Sequence, residues 1–251
     1  MADPDIAQAL GRDVTGTVDL TYLEDQPLDL SDLSLNGATW SLTGDAVVDA
    51  LSNAFETTFV TNLAAQDLTA FAPLIGQPVA GAATVRVEGS AALGGFFDIN
   101  VTGQGDELQV GIPQADTVLR GETQLDLAAK RDADGLTLRR LTVENPQLGV
   151  TASGTLATNR ADITFDTRLS NANLFVPSVN GPVTVAGTAQ QTNGRWAFNT
   201  KATGPYNTTA AVLGNASDAE IHVAGKRVGR AGDLLTLAPF ATAAALKLSL
   251  S

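Results

Sequence analysis

A single histidine, His222, is the only side chain here whose ordinary pKa suits proton transfer near neutrality. A Ser–His–Asp triad would have to use it. It stands in Glu220-Ile221-His222-Val223-Ala224, where alternation sets it opposite Ile221 and Val223, as a solvated strand residue. The chain has no cysteine, which excludes thiolate nucleophiles, disulfides and zinc–thiolate centres. Asp132-Ala133-Asp134-Gly135 has the start of a calcium loop but lacks the further ligands, including a bidentate Glu, and reads as a turn. Gly103-Gln104-Gly105 lacks the third glycine and the following helix of a nucleotide loop. The carboxylates fall among Thr and Asn, with no sign of the pocket that would tune one for acid–base work. Asn-x-Thr/Ser triplets at Asn100, Asn207 and Asn215 would carry no meaning if the source were bacterial. The expectation is therefore no catalytic residue, no metal ligand, no cofactor, and no enzyme.

The chemistry that remains is contact with hydrocarbon. Apolar residues recur at every second position along most of the chain. Val85 and Val87 alternate with Thr84, Arg86 and Glu88, and Phe97, Ile99 and Val101 with Asp98, Asn100 and Thr102. Leu125 and Leu127 flank Asp126, Ile163 and Phe165 alternate with Asp162, Thr164 and Asp166, and Val183 and Val185 flank Thr184. Successive strand side chains point to opposite faces, so such runs make a sheet with one apolar and one polar face. The candidate apolar strip comprises Val85, Val87, Phe97, Ile99, Val101, Leu125, Leu127, Leu138, Leu141, Val143, Val150, Ile163, Phe165, Val183, Val185 and Phe198.

The elements that must carry this strip are about fourteen strands of ordinary length. They are divided by turn signals such as Leu93-Gly94-Gly95, Asp132-Ala133-Asp134-Gly135 and Thr192-Asn193-Gly194. Short turns imply antiparallel neighbours and a meander with little helix. Asp45 to Ala54 reads as a strand entering a turn, and Gly232 to Leu246 is open between helix and strand. The apolar face could be covered by a second sheet, close on itself, or stay open around an apolar ligand.

With 27 acidic residues against 15 basic ones, the net charge is −12. That argues against nucleic acid and against adhesion by charge to anionic lipid. Met1-Ala2-Asp3-Pro4 lacks the basic start and apolar core of a leader, and Leu234 to Leu250 is interrupted by Pro239 and Lys247. A membrane-embedded barrel is disfavoured, since two Trp and two Tyr cannot furnish two aromatic girdles.

Three matches in order suggest an internal repeat. Leu28-x-Leu30-x-x-Leu33-x-Leu35 matches Leu136-x-Leu138-x-x-Leu141-x-Val143 at an offset of 108. Phe71-x-Pro73-x4-Pro78-Val79 matches Phe175-x-Pro177-x4-Pro182-Val183 at 104, and Phe97-x-Ile99 matches Phe198-x-Thr200 at 101. The first pair shares a parity break, which predicts a β-bulge at Asp32 and at Arg139 or Arg140. The prolines predict that the chain leaves the sheet in a crossover loop, with the Phe pinning it to the apolar face. The expected organisation is a single elongated β domain over 1–251, with repeats at 28–135 and 136–225 and an uncertain tail at 226–251.

Ile112-Pro113-Gln114-Ala115-Asp116-Thr117-Val118-Leu119-Arg120-Gly121, followed by Leu125-Asp126-Leu127, Arg131-Asp132-Ala133-Asp134-Gly135 and Leu136 to Val143, resembles the TamB family. That family is the inner-membrane-anchored subunit of the translocation and assembly module, within the AsmA-like group. The resemblance spans most of 28–225. It implies a long, twisted, largely antiparallel sheet curled into an open, taco-shaped groove of about two repeats. It also implies a periplasmic segment that shields and conducts phospholipid acyl chains between inner and outer membranes, supporting outer-membrane biogenesis and protein assembly. An Omp85-type barrel would be a partner through parts of a longer chain. The family's membrane anchor is absent, and its barrel-facing end is not recognisable in 226–251. The alternative is a purely structural or adhesive β-sandwich or solenoid with a closed core.

Overall fold

A computed structural model describes residues 13–49, 54–216, 221–223 and 226–229. The chain divides into two compact units, Met1–Ala133 and Asp134–Ser251. In the first lie β1 (Thr15–Thr21), β2 (Leu28–Asn36), β3 (Trp40–Asp49), β4 (Glu56–Ala65), β5 (Ala80–Ala92), β6 (Phe96–Gln109) and β7 (Thr123–Asp132). The second holds β8 (Gly135–Glu144), β9 (Leu148–Ala157), β10 (Arg160–Leu169), β11 (Val183–Thr192), β12 (Arg195–Gly204), β13 (Thr208–Ala216), β14 (Ile221–Val223) and β15 (Lys226–Gly229). Within each unit the strands pair antiparallel in sequence order, as an all-β meander. Residues 45–49 are strand, and the segment Gly232 to Leu246, with all of the tail beyond Gly229, lies outside the described residues.

The expected parity breaks are bulges. On β2 the register slips between Leu30 and Leu33, so Ser31 and Asp32 together oppose Asp45. On β8 it slips between Leu138 and Leu141, so Arg139 and Arg140 oppose Ser153. The extra residue returns the following leucines to the face of the preceding ones. The bulges differ in backbone detail. Asp32 has a φ of 51° and donates its N–H to the Asp45 carboxylate at 3.0 Å, whereas neither arginine has a positive φ. Every pair of the β2–β3 ladder has its counterpart in β8–β9 at an offset of 108, from Leu28↔Val48 and Leu136↔Leu156 to Leu35↔Leu42 and Val143↔Val150.

The offset then falls as turns shorten. Asp49 pairs with Glu56 across a longer loop, while Ala157 pairs with Arg160 across two residues, and the offset becomes 104. Two sequence matches need correction here. Val183 pairs with Leu169, whose equivalent Ala65 pairs with Ala83, so Val183 corresponds to Ala83 and not to Val79. The proline-containing links differ in length by four residues, which the shared Pro-Val dipeptide conceals. Likewise β6 and β12 align at 99, which matches Phe97 with Trp196 and Ile99 with Phe198. Facing is preserved because the error is two residues.

The proline segments are not crossovers, since β4 pairs with β5 and β10 with β11. They are straps between neighbours. The first holds a 3-10 turn, Leu68–Phe71, and a short helix, Ala72–Ile75; the second holds a 3-10 turn, Ala172–Leu174. Asp67 caps the first by accepting from the Thr69 N–H at 2.9 Å, and Asn171 caps the second by accepting from the Asn173 N–H at 3.2 Å. The Phe71 ring meets Trp40 edge-on, with centroids 6.4 Å apart.

Candidate functional site

Directly paired residues of adjacent strands share a face, so the register assigns each side chain. In the first unit one row runs Leu33, Gly44, Thr61, Val87, Val101, Leu127. Beside it run Leu35, Leu42, Leu63, Val85, Gly103, Leu125, then Leu30, Ala46, Phe59, Gly89, Ile99, Ala129. Phe97 lies in the outermost row with Ala91 and Arg131. In the second unit the rows are Leu138, Gly154, Ile163, Ala189, Phe198, and Leu141, Ala152, Phe165, Gly187, Thr200. Val143, Val150, Thr167, Val185 and Ala202 form the next, and Val183 follows beside Leu169. All the strip residues read from the sequence thus fall on one face of their own unit. With strands about 4.8 Å apart, a row of six spans roughly 24 Å.

Several residues belong to this face that were not picked out as strip members. Leu30, Leu33, Leu35, Leu42, Phe59 and Leu63 complete its first half. The signal was available: Phe59 and Leu63 flank Thr61 with period two, and the bulge keeps all the β2 leucines together.

The face is incompletely covered. Of the strip residues, Val183 alone is buried, at 6% exposure, and the others keep part of their surface in solvent. No large side chain is fully buried among the described residues, and most buried apolar side chains are alanines. Trp40, Ala65, Ala172 and Val183 are buried beside the two straps, Val118 and Thr123 beside a short helix, Pro113–Val118, between β6 and β7, and Ala128, Ala129, Ala161 and Ala189 within strands.

Glycines on this face mark where strands crowd. A Cβ on Gly44 would strike the Val60 carbonyl, and one on Gly89 the Asp98 carbonyl. The second unit repeats this at Gly154 against Asp162 and Gly187 against Asn199. The four glycines sit on β3, β5, β9 and β11, the equivalent strands of the two halves. Bare backbone there lets the sheet bend where a side chain would hold the strands apart.

The opposite face is polar and its pairs are exposed. Arg86 reaches Glu88 at 3.1 Å and Asn62 at 3.3 Å, and Lys130 reaches Asp132 at 3.0 Å. Exposed pairs of this kind are worth about 0–1 kcal/mol each. Gly103-Gln104-Gly105 is strand rather than loop. His222 stands in β14, and no group of three or more metal-binding side chains is assembled among the described residues. The Asp67 carboxyl is held below the ordinary aspartate value by the Thr69 hydroxyl and then by its N–H.

No family model matches this chain, and neither a curated protein nor a solved structure does.

Proposed function

We propose that the apolar face of each unit shields and conducts phospholipid acyl chains, as part of a periplasmic carrier between inner and outer membranes. The observation that carries this reading is that almost every side chain of the apolar face is only partly buried. A sandwich or solenoid with a closed core would bury those side chains, and monomers seldom leave so long a run of Val, Leu, Ile and Phe in water. Burying a methylene is worth ~0.8 kcal/mol, so a sixteen-carbon chain gains roughly 10 kcal/mol before the cost of immobilising it. The rows mix Val and Leu with Gly, Ala and Thr, which suits a chain that slides. The resemblance to TamB supplies the lipid class, the periplasmic setting, a role in outer-membrane protein assembly and a barrel partner of the Omp85 type.

The test is native mass spectrometry of the purified protein, paired with a melt of Val101→Asp. Co-purifying phospholipid that is lost in a variant still melting close to wild type is the expected result. A carboxylate at that position costs several kcal/mol if desolvated against lipid. No bound lipid, together with a collapsed melting temperature, would mean that the face is a core.

A further inference from the structure

The β1–β2, β3–β4 and β5–β6 connections share one rim of the first unit's sheet, and each carries or adjoins large apolar side chains in solvent. Tyr22 and Leu23 are 69% and 61% exposed, Phe55 47%, and Leu93 and Phe96 63% and 44%. Their backbones are organised. The Gln26 N–H bonds the Leu23 carbonyl at 3.1 Å, and the Leu93 N–H bonds the Ala54 carbonyl at 2.8 Å, tying two tips together.

The second unit supplies an internal control. There the Asn193 N–H bonds the Asn159 carbonyl at 2.9 Å, between the equivalent turns. By ladder register Leu93 corresponds to Asn193 and Phe55 to Asn159. The second unit closes the equivalent ladders with the two-residue turns Thr158-Asn159 and Asn193-Gly194, whereas the first unit uses longer connections that carry Phe and Leu. Phe55 adopts a φ of 47°, a left-handed conformation that a bulky residue rarely takes and that its counterpart Asn159 does not share. Closing these ladders does not by itself demand apolar tips, and no described strand of the unit covers them.

We infer that this rim docks on the surface of a zwitterionic bilayer, with Tyr22, Leu23, Phe55, Leu93 and Phe96 entering the interface. Side chains on separate tips act as wedges between headgroups, as a flat protein partner does not require. The exposed carboxylates Glu24 and Asp25 stand among them. They complement the ammonium groups that lie outermost on a zwitterionic surface, and anionic lipid would repel them. The inference goes beyond the acyl-chain reading, because a chain can occupy the face without the rim touching a membrane.

The experiment is flotation of the 251-residue protein with phosphatidylcholine vesicles, and with vesicles that also contain an anionic phospholipid. Leu23→Asn combined with Leu93→Asn is the variant, since asparagine already serves the twin position of Leu93. The expected result is binding to phosphatidylcholine, weakened by anionic lipid and lowered at least about tenfold in the variant. Its melt and its bound lipid by native mass spectrometry should match wild type. A fluorophore on Leu93→Cys should shift with vesicles and one on Asn193→Cys should not. No flotation of wild type, flotation unchanged in the variant, or binding only to anionic vesicles would overturn it. So would loss of self-association in the variant with no vesicle binding, which would make the rim a contact between copies. Val101→Asp separates the two readings: it should abolish bound lipid and leave flotation intact.

Discussion

Asp67 and Asn171 do one task with different chemistry. Each takes the N–H two residues on and starts the 3-10 turn of its strap. Asp67 adds a bond from the Thr69 hydroxyl at 2.7 Å, and its carboxyl is held below the usual range by that bond first and the Thr69 N–H second, against slight desolvation. A carboxyl with a depressed folded pKa contributes stability that is present above the unfolded pKa and lost as pH falls through the folded one. Asparagine makes the cap with no titration. Urea titrations at about pH 7 and about pH 3 should therefore show wild type losing ground against Asp67→Asn on acidification. Asp67→Ala should be weaker than Asp67→Asn at both values. Equal pH dependence of wild type and Asp67→Asn would mean the cap does not couple to folding. The signal for these caps was present as Asp67 and Asn171 ahead of each Phe-x-Pro, but a cap needs a helical turn behind it, and four- and three-residue turns leave no periodicity to read.

Among elements, the bulged strands test the idea that facing organises the sheet. Removing Asp32 leaves Leu28, Leu30, Leu33 and Leu35 in strict alternation, all on the apolar face. The deletion loses one bond to Asp45 and the local bend, and the variant should still fold. Removing Asp166 from the regular strand β10 turns Leu169 to the polar side, away from Leu148 and Val183. It should cost at least about 2 kcal/mol more than the Asp32 deletion in urea unfolding. Comparable losses would show that register is not set by facing. This is also where reading from sequence succeeded and where it stopped. Period-two alternation fixes which side of a strand a residue takes, so Val101, Phe165 and their neighbours were legible. Equivalence between distant strands depends on turn and strap lengths. An aromatic matched to an aromatic therefore put Phe97 opposite Phe198 when the ladders align it with Trp196. Coverage of a face was likewise illegible, because it depends on which segments fold over it and not on the strand itself.

For the whole molecule, net charge and incompletely covered apolar surface act against each other. At neutral pH a charge of −12 keeps copies apart while the apolar face stays partly in water. The isoelectric point is near 4.3. Turbidity should rise steeply as pH approaches that value, and a phospholipid that fills the face should suppress the rise. Turbidity indifferent to lipid would argue that the face is not what meets between copies. Sequence-order pairing has a mechanical consequence as well. In each unit every described ladder joins a strand to its chain neighbour, so tension applied to the ends loads the hydrogen bonds of the outermost ladder one after another rather than all together. Such a unit has little shear strength. Under optical tweezers it should peel as a staircase of small, low-force extensions, each about one strand long, and re-zip on relaxation, where a fold closed by long-range strand pairs would give way in one rip.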